Sequence, residues 1–583
     1  MGKPYPSLTR VPHMLHGGDY NPDQWLHDPA ILAEDLRLMR AAGVNAVSVG
    51  MFSWAAIEPD EGHYTFDWLD DLMDRLAENG VYVALGTPSG AKPAWMSDKY
   101  PEIRRMTADG QREPHRARHN HCRTSPVYRH MCAEINTRLA ERYREHPALI
   151  LWHVSNEYNG GECHCPLCYD AFRRWLQSKY GSLEALNLAW WTAFWSHTYT
   201  SWEQIRPVDA SIHGLMLDWQ RFTTWQTVEF FRAESAPLRS ITPRVPITTN
   251  FMGVSQTLDY RMLAREVDVI SWDSYPHWHG QVDDATLGAR IGFIHDLNRS
   301  LKGGQPFLLL ECTPSAQHNM PAMRLKRPGV HRLSSLQAVA HGSDSVMYFQ
   351  WRAGRGGAEK LHGAVVTHDG TNNTRVFRDV ADVGDLLSKL DDVVGTAVPS
   401  QVAIIYDWQN SWAIENARGP LLQGKAYTET CQAHYAPFWQ QGIPVDIIGM
   451  EDDLAKYRLV VAPMLYMIRG DLAARLEAFV HGGGTLVLTY WSGIVDENDL
   501  CFPMGRPGPL RSLMGVWCEE TDALYPGQTN TVEPLRANPL GLRGTFACRD
   551  LCDLVHLEGA EVLASYGQDF YSGLPALTVN QVG

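Results

Sequence analysis

Two glutamates stand where chemistry would be expected. Glu157, with Asn156 before it, closes the segment Leu151-Trp152-His153-Val154-Ser155-Asn156-Glu157-Tyr158, and Glu311 follows Phe307-Leu308-Leu309-Leu310. Most glutamates at strand ends are solvated or cap a helix. A carboxylate directly behind four apolar residues, as at Glu311, is less common, because burying an unpaired charge is costly. Two carboxylates flanking one bond suit glycoside hydrolysis. One protonates the leaving oxygen; the other attacks the anomeric carbon or activates water to do so. A separation of about 5–5.5 Å gives retention and about 6.5–9.5 Å inversion, and the sequence leaves that distance open.

The elements that must position this pair repeat along the chain. Short apolar strands are expected at 15–19, 45–50, 81–88, 150–158, 246–251, 267–275, 306–313 and 345–352, with amphipathic helices between them. Asp28, Pro29 and Gly43 bracket one helix as N-cap, first-turn proline and terminator, and Gly80 ends another that starts near Phe66. Eight βα units predict a (β/α)8 barrel over 1–395, with an open doubly wound sheet as the alternative. Glu157 then closes the fourth strand and Glu311 the seventh, on opposite sides of the C-terminal mouth. Asp19, Tyr20, Phe52, Trp54, Asn250, Trp272–Tyr275 and Trp351 also lie at strand ends, where amides bind hydroxyls and aromatic faces stack on sugars. For tryptophans outside strand ends, packing is the expected role.

A second constellation is Cys163-His164-Cys165-Pro166-Leu167-Cys168, preceded by Cys122. Four thiolates at this spacing suit a closed tetrahedral zinc site, structural because no coordination position stays open. His164 could replace one sulfur, and a set of free buried thiols is the plainer alternative. The count of 11 cysteines is odd, and a reducing compartment, the cytoplasm, is expected.

A new strand at 401–406 opens a second α/β domain over 396–583. Further strands are expected at 445–448, 459–463 and 485–490, and a helix at 471–481. The net charge of −15 argues against nucleic-acid binding, and no apolar run reaches the ~18 residues of a membrane span. Met1–Pro6 lacks the apolar core of a leader, and the context of Gly2 does not suggest lipidation. The last residues, Leu577–Gly583, read as a chain cut off just after a strand.

The motifs together resemble the glycoside hydrolase family 42 β-galactosidases. The resemblance rests on Gly17-Gly18-Asp19-Tyr20-Asn21-Pro22-Asp23-Gln24-Trp25, Phe52-Ser53-Trp54 with Glu58-Pro59, and Asn156-Glu157-Tyr158. Glu311 with Thr313-Pro314-Ser315, and Leu325-Lys326-Arg327-Pro328-Gly329, complete it. It implies a catalytic barrel, an α/β trimerisation domain and a small β domain, the last missing here, and a homotrimer. It implies removal of terminal β-D-galactose from galactosides by double displacement, with Glu157 as acid/base and Glu311 as nucleophile. Asn156, Arg118, Tyr275, Glu359 and His362 match substrate-region residues, and Cys122, Cys163, Cys165 and Cys168 match a zinc site that some members keep. Where many members carry Asn-Trp, this chain has His318-Asn319, so a stacking surface is either lost or supplied elsewhere, by Trp351 or a nearby loop. The rivals are an α-L-arabinopyranosidase, β-fucosidase or β-xylosidase on the same barrel, and a non-enzymatic sugar-binding scaffold.

Overall fold

The structure is a computed structural model that describes residues 5, 8–159 and 161–583. Except for Tyr5, the segment Met1–Pro6 read for a leader lies outside the described residues. The chain forms two compact units. One comprises 1–171 with 222–399; the other comprises 172–221 with 400–583.

In the first unit the strands are β1 (Leu15–Tyr20), β2 (Ala46–Val49), β3 (Tyr82–Gly86), β4 (Leu149–His153), β5 in two pieces (Ile247–Thr248 and Asn250–Phe251), β6 (Ser271–Ser274), β7 (Leu308–Cys312) and β8 (Ser345–Tyr348). Each neighbour in the order β1 to β7 pairs in parallel, and β8 pairs with β1. The ring closes between β7 and β8, where Phe307 bridges Ser343 in parallel and Ser345 Oγ donates to Leu309 O at 3.0 Å. Closure removes the open-sheet alternative.

Local sequence explains the elements. A Cβ on Gly17 would lie 1.7 Å from Ala46 O, and one on Gly18 2.3 Å from Tyr348 O. The glycine pair therefore lets β1 sit between both neighbours. Helix α1 (Pro29–Ala41) starts where Asp28 accepts the Ala30 N–H at 3.3 Å and ends before Gly43 at φ +67°. Helix α2 (Asp67–Glu78) buries Leu69, Leu72, Met73 and Leu76, the three-and-four spacing of one helical face. Leu15, Ala46, Ala84, Ile150, Leu308 and Met347 share one buried apolar cluster inside the ring. Each fully buried large aliphatic side chain there contributes roughly 1.5–3 kcal/mol. The polar strand ends gather at the other mouth.

In the second unit β9 (Val402–Ile405), β10 (Val445–Ile448), β11 (Leu459–Ala462) and β12 (Thr485–Leu488) form a parallel sheet in the order β10-β9-β11-β12. Helix α3 (Leu472–His481) precedes β12 after the expected aspartate, Asp471. The sequence reading did not foresee the antiparallel ladders beyond it. Val516–Ala523 pairs with Leu551–Leu557, and Asn530–Pro534 lies between Phe546–Cys548 and Glu561–Tyr566. Among the described residues no helix is long and apolar enough to cross a membrane.

Candidate active site

The chain leaves β4 at His153 and turns sharply. Ser155 and Glu157 both have left-handed backbones, at φ +57° and +45°. Such non-glycine conformations cost about 1–3 kcal/mol and persist only where neighbours enforce them. Here Thr87 Oγ1 accepts the Ser155 N–H at 2.8 Å, and Asn250 Oδ1 accepts the Glu157 N–H at 2.7 Å. The turn swings the Glu157 side chain toward the barrel axis. Glu311 needs no turn: it is part of β7, in register with Asp273 of β6.

An oxygen of each of Glu157, Asp273 and Glu311 lies within 4.8 Å of the others. Asn250, at the end of β5, links them. Its Nδ2 lies 3.0 Å from Glu311 Oε1, 2.6 Å from Asp273 Oδ2 and 3.0 Å from Asn156 Oδ1. Tyr275 donates its hydroxyl to Glu311 Oε2, and Arg118 donates to Glu157 Oε2 at 2.8 Å. Asn156 Nδ2 reaches the same Glu157 oxygen at 3.4 Å.

Burial, followed by the nearby Glu157 charge, pushes the Glu311 carboxyl up to about 8, against the pull of Tyr275 and Arg118. Like charges this close titrate as a unit and share protons. Asp19 and Asp273 are raised well above the usual carboxylate range, chiefly by burial and then by Glu311. Both are biased toward the neutral form, which limits the charge crowded at the mouth.

Glu157 and Glu311 open into a cavity of about 180 Å³, lined also by Phe52, Arg118, Tyr275, Gln317, His318, Asn319, Phe349, Glu359 and His362. The structure therefore brings Arg118, Tyr275, Glu359 and His362, named from the resemblance, to one cavity, with Asn156 hydrogen-bonded to Glu157 beside it. His318 Nδ1 and His362 Nδ1 are 2.6 Å apart, and His318 Nε2 lies 3.5 Å from Glu359. Burial, then His318, lowers His362 to about 4.

The expectation for Trp351 is corrected. It is fully buried outside this cavity, and its indole N–H donates to Asp35 at 3.2 Å. Regular strand geometry ends at Tyr348, so two-residue alternation no longer says which side chains face inward. The aromatic residue that does so is Phe349, which sequence reasoning missed although it lies two residues from Trp351. Asn250 was legible only as one of several polar strand ends, because its partners come from three other strands.

The Sγ atoms of Cys122, Cys163, Cys165 and Cys168 all lie within 4.8 Å of one another, and all four residues are buried. Cys122 is 3.6 Å from Cys165 and 3.5 Å from Cys168. A tetrahedral ion with metal–sulfur bonds of about 2.3 Å would need sulfurs about 3.8 Å apart, so the cluster fits a metal. His164 lies outside it, contacting Glu162 at 3.0 Å and the Tyr169 hydroxyl at 3.1 Å. The cluster adjoins the Glu157 turn. Arg123, next to Cys122, donates to Asn159 O, two residues beyond Glu157.

A closed parallel barrel presenting two opposed carboxylates in a polar pocket defines the class, a glycoside hydrolase. Residues 19–390 match the glycoside hydrolase family 42 model, described as β-galactosidase, and residues 400–583 match the β-galactosidase trimerisation domain. The chain belongs to glycoside hydrolase family 42. It is 55% identical to the β-galactosidase Pbg of Clostridium perfringens, over 99% of this chain and 85% of that one. It is 56% identical to BglY of Alicyclobacillus acidocaldarius, over 100% and 85%. The crystal structure of the β-galactosidase from Rahnella sp. R3 superposes with a TM-score of 0.98 at 52% identity, covering 99% of this chain and 86% of that one.

Proposed function

We propose that the protein removes terminal β-D-galactose from β-galactosides with retention, Glu311 acting as nucleophile and Glu157 as acid/base. The observation that carries this reading is that Glu157 and Glu311 line one cavity with oxygens within 4.8 Å of each other, close enough to flank a single glycosidic bond. In the first step a Glu311 oxygen bonds to the anomeric carbon while the glycosidic oxygen departs with the Glu157 proton. In the second, water attacks that carbon, gives its proton to Glu157 and frees Glu311. Tyr275 and Asn250 hold the Glu311 carboxylate. Arg118, Asn156, Glu359 and His362 are placed to meet sugar hydroxyls, with Phe52 and Phe349 as apolar walls.

The cysteine cluster is read as a structural zinc site whose four thiolates would pin the loop behind Glu157. Residues 1–395 are read as the catalytic barrel and 396–583 as the trimerisation domain of a homotrimer, in keeping with the family match. A reducing location, the cytoplasm, accords with eleven cysteines that form no disulfide.

The test is hydrolysis of p-nitrophenyl β-D-galactopyranoside by the wild type and by Glu311→Ala. Turnover by the first and almost none by the second supports sugar and nucleophile together. Cleavage of a different nitrophenyl sugar, still dependent on Glu311, would keep the mechanism and remove galactose.

A further inference from the structure

Glu157 is held from two sides. On the cavity side Asn250 Oδ1 accepts its N–H at 2.7 Å, and Arg118 donates to its carboxylate at 2.8 Å. On the other side the chain turns away, and Tyr158 and Asn159 are not among the residues that line the cavity. Both are gripped there. The Tyr158 hydroxyl donates to Glu234 Oε2. The Tyr158 ring meets Phe230 and Phe231 edge to face, with centroids 6.3 and 6.0 Å away. Arg123 donates to Asn159 O and, at 2.8 Å, to Thr227 Oγ1. Thr227, Phe230, Phe231 and Glu234 all stand on one helix, His213–Ile241.

Glu234 is a costly residue for that place. It is 0% exposed, and burying a carboxyl group is unfavourable unless a partner is fixed beside it. Burial raises its carboxyl to about 7, against the hydrogen bond from Tyr158 and the charge of Arg123. Burial, and then the Glu234 charge, raise Tyr158 well above the ordinary tyrosine range, so the phenol keeps its proton and is the donor. An apolar side chain would fill this place without the penalty but could not fix a hydroxyl. The residue whose hydroxyl is fixed shares a peptide bond with Glu157.

We propose that Tyr158 and Glu234 are positioning residues for the acid/base: together they set the direction in which Glu157 offers its proton to the glycosidic oxygen. The inference rests on the acid/base reading of Glu157 above. Neither residue touches the sugar or the reacting atoms. They act through the backbone, since a shift of Tyr158 rotates the peptide that it shares with Glu157, whose left-handed turn leaves little freedom to compensate. A misplacement of about 1 Å at a reacting group can cost about 10²-fold in rate. The loss should depend on the leaving group. A sugar hydroxyl departs only with a proton delivered to its oxygen, whereas a dinitrophenolate departs without one.

The experiment compares kcat/KM for lactose and for dinitrophenyl β-D-galactopyranoside in wild type, Tyr158→Phe, Glu234→Gln, Glu234→Leu and Glu157→Ala. Tyr158→Phe and Glu234→Leu should each lower the lactose value about tenfold, which is about 1.4 kcal/mol, and leave the dinitrophenyl galactoside within about twofold. Glu234→Gln keeps an oxygen that accepts from Tyr158 and loses only the charge, so it should stay within about threefold on both. A merely structural role would lower both substrates alike, because less enzyme would be folded. Glu157→Ala should show the same imbalance, and a larger one. An even loss in Tyr158→Phe, or none on lactose, beside an uneven loss in Glu157→Ala would overturn the proposal alone. An even loss in Glu157→Ala would remove the acid/base reading and the inference with it.

Discussion

His318 and His362 face each other Nδ1 to Nδ1 at 2.6 Å, so one proton must lie between them. Glu359 lies 3.5 Å from the far nitrogen of His318, so the three side chains form one row along the wall of the sugar cavity, and burial disfavours the charged form of His362. His318→Ala should raise KM for the nitrophenyl galactoside about tenfold and leave kcat within about threefold, because ground and transition states lose the same contact. Michaelis kinetics decide this, and a fall in kcat at unchanged KM would count against it.

The carboxylate pair predicts the alkaline side of the pH profile. Activity needs one proton on the pair. With Glu311 raised to about 8, that proton is kept below pH 8 and lost as pH rises through it. The alkaline limb of kcat/KM should therefore fall near pH 8. The Tyr275 hydroxyl lowers Glu311, so Tyr275→Phe should move the limb upward as well as slow turnover. A limb that stays put or moves down in this variant would refute the assignment.

Asn250 touches Glu311, Asp273, Asn156 and the Glu157 backbone at once. Asn250→Ala should lower kcat by about 10²–10³, the scale seen when one preorganised donor is removed. Combined with Glu311→Ala it should add little, since residues acting as a unit are not additive. Circular dichroism should match the wild type. Full additivity in the double variant would show that Asn250 acts elsewhere.

Zinc at the four cysteines should amount to about one ion per chain, by atomic absorption of protein purified without added metal. Cys163→Ser should release it and lower the melting temperature, because binding energy at a structural site is folding energy. Wild type that comes out of purification without metal, or zinc-loaded wild type that melts no higher than the variant, would dismiss the site.

Much of this was legible in the sequence because it follows local rules. All eight barrel strands overlap segments expected from the sequence, several of them continuous apolar runs, and Asp28, Pro29 and Gly43 marked the ends of α1. Glu157 and Glu311 could be paired because strand number alone places them across a barrel mouth. What stayed hidden depends on long-range geometry. The grouping of 172–221 with 400–583 leaves no composition shift. The ladders after Val516 are short and half-exposed, so their alternation is weak. Phe349, and not Trp351, reaches the cavity because the chain beyond Tyr348 is no longer a strand.

The two glutamates hang on mounts of unequal stiffness. Glu311 is woven into a ladder that opens only when the barrel does. Glu157 projects from a strained turn past the end of β4, with its backbone N–H held by Asn250 Oδ1. Openings of such segments cost less than global unfolding. On heating, activity should therefore be lost below the temperature at which the barrel melts, and a sugar bound in the cavity should postpone the loss; parallel activity and circular-dichroism scans check this, and coincident transitions would count against it.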